Sequence, residues 1–182
     1  MADEGIVVYR VDAEDRLAFV NDEWDRFAAA NAGQACLSSK VLGRPLWDFV
    51  SDRTTRLLYG SMLAKVRAGA PVRFPFRCDS PDCRRFLEMS AGLADLGAVE
   101  FTVRTAAIES RPAQALLDPA TPRTEALLRI CGWCKKVEIG GLWYETEVAV
   151  AKLGLFGAHA LPLVTHGMCL ECEAAMTRTI GD

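Results

Sequence analysis

The sequence predicts an α+β protein, with an antiparallel five-stranded sheet carrying helices on one face and a small α/β module after it. Three observations lead there. Five short β-rich segments stand at 6–12, 16–22, 72–78, 84–94 and 98–108. A strong helical period lies between the second and third of them. Two CxxC pairs, Cys131/Cys134 and Cys169/Cys172, mark a separate module near the end of the chain.

The elements follow in order. "IVVYRVD" and "RLAFVND" read as a hairpin turning through "DAED". In "NDEWDRFAAANAG", Asn21 or Asp22 can cap a helix in which Trp24, Phe27 and Ala28 recur at i, i+3 and i+4, with Gly33 as its stop. Residues 34–50 read as irregular, with short helical turns around "LGRPLWDFV". The clearest helix is "SDRTTRLLYGSMLAKVRAG". Ser51 or Asp52 caps it, Leu58, Tyr59, Met62, Leu63 and Val66 line one face, and Gly69 and Pro71 end it. Three strands follow, joined by the turns "DSPD" and "DLG". Residues 109–122 hold three prolines without periodicity and read as a linker between a first domain, 5–108, and a module, 123–182. In that module Gly140-Gly141 reads as a turn. A helix is expected over about 143–154, with Trp143, Glu147, Val150 and Leu153 in phase, then an extended stretch through Pro162 and a helix opened by the second cysteine pair.

Composition narrows the function. The chain has 182 residues, enough for a domain plus a small module, and a formal net charge of −3 with acids and bases mixed. No basic tract is present to clamp a polyanion, so nucleic acid is not an expected partner. The N-terminus is acidic without an apolar core, and no run of about 18 apolar residues occurs, so neither a signal peptide nor a membrane span is expected. A cytoplasmic location follows as the expectation. There, seven cysteines, an odd number, read as metal ligands or redox groups before structural disulfides.

The wording "FVNDEWDRFA…VLGRPLWDFVSD…RFPFRCDSPDCRRFLEM…VEFTVRT", with the order of the elements, resembles a PAS domain, the sensory module of bacterial signalling proteins, over roughly 5–108. The resemblance implies a PAS-like sheet with a cavity between sheet and helices for a ligand of unknown class, or a sheet face that binds protein. A second segment, about 129–176, is similar to one recurring at the ends of bacterial PAS-containing sensors and regulators. Its wording is close to CxWCK, a Trp-containing helix and [ST]HGxCxxC. Cys131, Trp133, Cys134, Lys135, Trp143, His166, Gly167, Cys169 and Cys172 match.

From spacing, each CxxC places two thiols one tight turn apart. Two such turns facing each other give four sulfurs in the tetrahedral set that structural zinc prefers. A module of this size has a thin core, and bound metal supplies folding free energy. An iron–sulfur cluster and a metal-free thiol switch use the same residues and stay open. Covalent haem is disfavoured because Lys135 and Glu173, not histidine, follow the two pairs. Catalytic zinc is disfavoured because four thiolates close its shell. His166, three residues before Cys169, reads as a neighbour that orients a thiolate, or as an alternative ligand. His159 reads as a loop residue.

Cys78 and Cys83 flank "DSPD"; if that turn closes a hairpin they face each other and can form a redox pair, though two ordinary strand-end cysteines is the plainer reading. Arg73, Arg77, Arg84 and Arg85 cluster there, as a solvated face or an anion site. Cys36 reads as a small buried hydrophobe, and Trp24 and Trp47 as core. No nucleophile–base pair or nucleotide-binding loop is present, so no enzyme is expected. The expectation is a signal-sensing or adaptor protein with a protein partner and the option of a homodimer. A zinc-releasing thiol sensor and a nucleic-acid-binding zinc protein are the competing readings.

Overall fold

The computed structural model describes residues 5–181; the first four residues of the acidic N-terminus and the last residue of the expected module lie outside them. The first part contains β1 (Val7–Val11), β2 (Leu17–Val20), α1 (Asp22–Ala30), α2 (Ser38–Val41), α3 (Arg53–Arg67), β3 (Val72–Arg77), β4 (Cys83–Leu93) and β5 (Val99–Ser110). All five strands join one antiparallel sheet, in the order β2-β1-β5-β4-β3. The chain therefore makes one hairpin, leaves for the helices, and returns as a three-strand meander whose last strand inserts beside β1.

Local chemistry fixes the elements. Asn21 caps α1 by accepting from the Trp24 amide, and Asp52 caps α3 by accepting from Thr55 N at 2.8 Å. The expected face of α3 is the buried one, with Met62, Leu63 and Val66 inside and Leu58 and Tyr59 packed against the core. Gly33 does not stop α1. The helix closes at Asn31 and the chain turns through Ala32 at φ 56°. Alternation sets the sheet: Tyr9, Val11, Val72, Phe74, Leu87, Met89, Val99 and Phe101 point inward and are buried. Each fully buried side chain of this size contributes about 1.5–3 kcal/mol.

The module holds β6 (Arg123–Cys131), β7 (Val137–Ile139), β8 (Leu142–Tyr144), α4 (Thr146–Lys152), β9 (Leu161–Gly167) and α5 (Leu170–Gly181). Its sheet runs β8-β7-β6-β9, and β9 lies parallel to β6. The helix expected over 143–154 begins later. Gly140 and Gly141, at φ 58° and 83°, fold Leu142–Tyr144 back onto β7 as a strand, so Trp143 pairs with Glu138 and α4 starts at Thr146. The expected linker is also more ordered than its composition suggests. β5 runs on to Ser110, and Leu116 is buried in a small core with Leu128, Ile130, Val137, Ala149, Val150 and Leu161.

Module and sheet share the larger core. Trp133, Met168, Cys169 and Met176 pack with Phe74, Met62 and Val72. Helix α5 lies against α3, where Lys65 Nζ donates to the carbonyls of Thr179 and Ile180 at 3.2 and 3.0 Å. A cation at the carbonyl end of a helix also opposes its dipole. Among the described residues no helix is long and apolar enough to cross a membrane.

Candidate metal centre and cavity

Parallel pairing is what assembles the cysteine site. Ile130 lies opposite His166 and Cys131 opposite Gly167, so β6 and β9 end side by side. Each CxxC begins where its strand stops. The first turns back on itself: Lys135 N donates to Cys131 O at 3.0 Å with Lys135 at φ 62°, and Cys131 N donates to Lys136 O at 2.8 Å. The second runs into the first turn of α5. Gly132 N donates to Gly167 O at 2.8 Å and ties the two turns together.

The four sulfurs of Cys131, Cys134, Cys169 and Cys172 all lie within 4.8 Å of one another. Cys131 and Cys169 are buried, and Cys134 and Cys172 are half-buried. Backbone amides point at the cluster: Cys169 N donates to Cys131 Sγ and Cys172 N to Cys169 Sγ, each at 3.4 Å. Both amides belong to the start of α5, whose positive end favours thiolates. Hydrogen bonds from the Cys134 and Cys172 thiols hold the Cys131 pKa far below the ordinary thiol value. The same contacts push Cys172 upward and Cys134 up to about 12. Four thiols this close do not all ionise unaided, and a cation bound among them resolves that conflict. An all-sulfur donor set, closed and supported by amides, fits structural zinc. His166 is exposed on β9 and stands outside the converging donors. His159 is an exposed loop residue.

The hairpin arginines do not form one solvated face. Arg77 is buried and binds Asp79 and, at 2.8 Å, Glu145 of the segment before α4. Burial alone lowers the Arg77 pKa, but these carboxylates outweigh it and the net shift is upward. Arg84 reaches Glu147 of α4 at 2.9 Å, and Arg111 bridges Glu147 at 3.0 Å and Asp79 at 3.3 Å. Arg73 alone of the four stays at the surface, paired with Glu88. The network locks α4 to the β3–β4 turn. No sequence period announced Glu145, Glu147 or Arg111 as partners, because they meet only in the folded chain.

Cys78 and Cys83 do not oppose each other. Cys78 N donates to Arg85 O, whereas Cys83 pairs with Ser80 and its sulfur lies 2.9 Å from Ser80 Oγ. The turn is tighter than "DSPD" implied, so the register places Arg85 across from Cys78. Cys36 is exposed rather than buried, because its short helical turn sits at the surface, where its carbonyl accepts from Trp24 Nε1.

Between the inner sheet face and the helices lies a cavity of about 710 Å³. Trp24, Phe27, Tyr59, Phe76, Leu87 and Met89 contribute to a mainly apolar wall, with Arg85 among them. Trp24 is thus cavity wall as well as partly buried core, and Trp47 packs on the core with its Nε1 on Asp15. A second hollow of about 1260 Å³ crosses the outer face of the sheet. It is more polar, and its Arg10 and Glu100 already pair at 2.7 Å. Arg85 could have been read as inward-facing from sequence, since it shares the alternation of Leu87, Met89 and Ala91.

No protein-family model matches the chain, and no curated protein matches it. Among solved structures, the chain is similar to a domain of the sensory box sensor histidine kinase/response regulator from Geobacter sulfurreducens. The two share 21% identity over 54% of this chain and 82% of that one, with a TM-score of 0.40.

Proposed function

We propose that the chain is a signal-sensing or adaptor protein in which a PAS-like domain binds a ligand and a structural four-thiolate zinc module forms part of the domain's wall. The observation that carries the reading is the apolar cavity between the inner sheet face and the helices, of a size suited to small ligands. The cysteine module supports it by its position. Trp133, from the first CxxC turn, stacks on Phe74 at 5.9 Å and meets Tyr59 edge-on at 5.9 Å, and Tyr59 lines the cavity.

In this reading zinc holds Cys131, Cys134, Cys169 and Cys172 in place and so fixes Trp133. A ligand that moves Tyr59 biases the packing of the module and alters a surface read by a protein partner. The protein acts in the cytoplasm, where thiolates stay reduced and available to metal. Metal content by mass spectrometry, with extraction and identification of any co-purified small molecule, tests both halves. One zinc per chain and a molecule displaced by a cavity-filling variant support the reading. A protein that binds no small molecule and whose cavity variants behave as wild type in a partner assay removes it.

A second reading is favoured by the half-buried sulfurs of Cys134 and Cys172. Oxidant reaching them expels zinc and loosens the module, which makes the chain a thiol sensor. Zinc release under mild peroxide, reversed by reductant plus zinc, supports it; retention of zinc at physiological oxidant levels removes it.

A further inference from the structure

We infer that the cavity takes an uncharged cyclic ketone, with its ring against the aromatic wall and its carbonyl oxygen at the phenol pair of Tyr9 and Tyr59. This rests on the reading of the cavity as a ligand site and adds the chemical class. Tyr9 of β1 and Tyr59 of α3 come from opposite layers and both line the cavity. Each ring is fixed by its neighbours. Tyr9 stacks on Phe101 at 4.6 Å and meets Trp24 edge-on at 5.4 Å. Tyr59 meets Trp133 edge-on at 5.9 Å.

The two phenol hydroxyls are hydrogen-bonding neighbours. Two hydroxyls carry two protons, and one of these is used between them. For the other, the acceptor present among the described residues is Met89 Sδ, 3.8 Å from the Tyr9 hydroxyl. A thioether sulfur is a weak acceptor. A buried hydroxyl with so weak a partner gains by meeting a carbonyl oxygen. Burial pushes both phenols up, Tyr59 to about 12, so each keeps its proton across the physiological range. Held by their ring contacts, the donors lose little freedom on binding. The charged residues of the lining are engaged elsewhere: Glu23 with Arg26, and Arg85 with the Cys78 carbonyl and the Phe27 ring. A net charge on the ligand would lose its hydration against this mainly apolar wall, and an uncharged acceptor loses far less. Trp24, Phe27 and Phe76 extend the aromatic surface, which suits a flat ring.

The plainer account is that the two phenols only pack the core. Binding measurements separate the two. The full chain is titrated by calorimetry with 1-tetralone and with tetralin, which has the same ring skeleton without the carbonyl. The ketone is expected to bind about fivefold more tightly, the scale of one uncharged hydrogen bond. The infrared carbonyl stretch of bound, isotope-labelled tetralone is expected to move to lower frequency. Tyr59→Phe together with Tyr9→Phe removes only the two hydroxyls. This double variant is expected to bring the ketone down to the level of tetralin, leave tetralin unchanged and abolish the infrared shift. Leu87→Trp is expected to block both probes. Equal binding of ketone and hydrocarbon by the wild-type chain, or a preference that survives in the double variant, overturns the ketone assignment and leaves the cavity reading standing. Tighter binding of 2-naphthoate than of the ketone overturns the uncharged class in the same way. Binding of none of these probes, or binding indifferent to Leu87→Trp, overturns both.

Discussion

Arg77 of the sheet's edge strand donates its amide to the carbonyl of Trp133 at 2.7 Å. That one bond joins β3, whose outer edge would otherwise be open, to the first CxxC turn. The Trp133 side chain then passes to the inner side of the sheet, against Phe74 and Tyr59. The Arg77 guanidinium holds Asp79 and Glu145. The module therefore covers the sheet edge, and an exposed edge strand is a site of unwanted pairing.

Metal removal is expected to unfold the module rather than empty a rigid site. Cys131 and Cys169 are both buried, and Cys131→Ser or Cys169→Ser is expected to abolish stoichiometric metal. The loss draws on a metal-binding term of order 10 kcal/mol. Metal per chain and far-ultraviolet circular dichroism check this. Full helicity in a metal-free protein would rule out a structural role.

Trp133 is 8% exposed and packed between two aromatic rings. Trp133→Ala is expected to destabilise the protein by about 3–5 kcal/mol, the usual cost of emptying a large aromatic site. Phe156→Ala, at a residue 70% exposed, is expected to fall within about 0.5 kcal/mol of wild type. Urea unfolding followed at two wavelengths measures both. Similar costs at the two sites would contradict the shared core.

Asp79 has a fully buried side chain between Arg77 and Arg111. Asp79→Ala leaves two largely buried guanidinium groups without it, and a loss of about 3–5 kcal/mol is expected. Pairing it with Glu147→Gln in a double-mutant cycle should give a non-additive result, since both carboxylates bind Arg111. Strict additivity would mean that the network does not act as one unit.

Glu147 sets a pH dependence. Burial raises its pKa, but its own backbone amide and the guanidinium groups of Arg84 and Arg111 outweigh this, leaving it below the ordinary glutamate value of 4.5. A depressed folded pKa stabilises the protein above the unfolded value, and that stability is lost as pH falls through the folded one. The difference in urea midpoint between wild type and Glu147→Gln is therefore expected to be constant near neutrality and to shrink below the ordinary carboxylate range. Acid release of metal affects both proteins and cancels in the difference. Parallel curves down to acid pH would contradict the assignment.

Much of the first part was legible in the sequence. The order of strands and helices, the buried face of α3 and the Asn21 and Asp52 caps depend on neighbours a few residues apart, and a short period records such neighbours. The four sulfurs were legible too, because CxxC spacing prepares each pair locally. The helix placed over 143–154 misjudged its start because strand pairing at Trp143 overrode helical phase. Cys78 and Cys83 do not stand across from each other, as their alternative reading as a redox pair required, because a hairpin's register depends on where its turn tightens.

By itself, then, the sequence determined the elements, the α+β class and two prepared thiol pairs, all consequences of local spacing and side-chain type. Tertiary structure alone decided that β6 and β9 run parallel and bring residues 131 and 169 together. It also decided that Trp133 enters the core of the first sheet and that Glu145 and Glu147 meet Arg77, Arg84 and Arg111. The reason is physical: these contacts join groups tens of residues apart, and only chain closure and burial, which no local period encodes, select them.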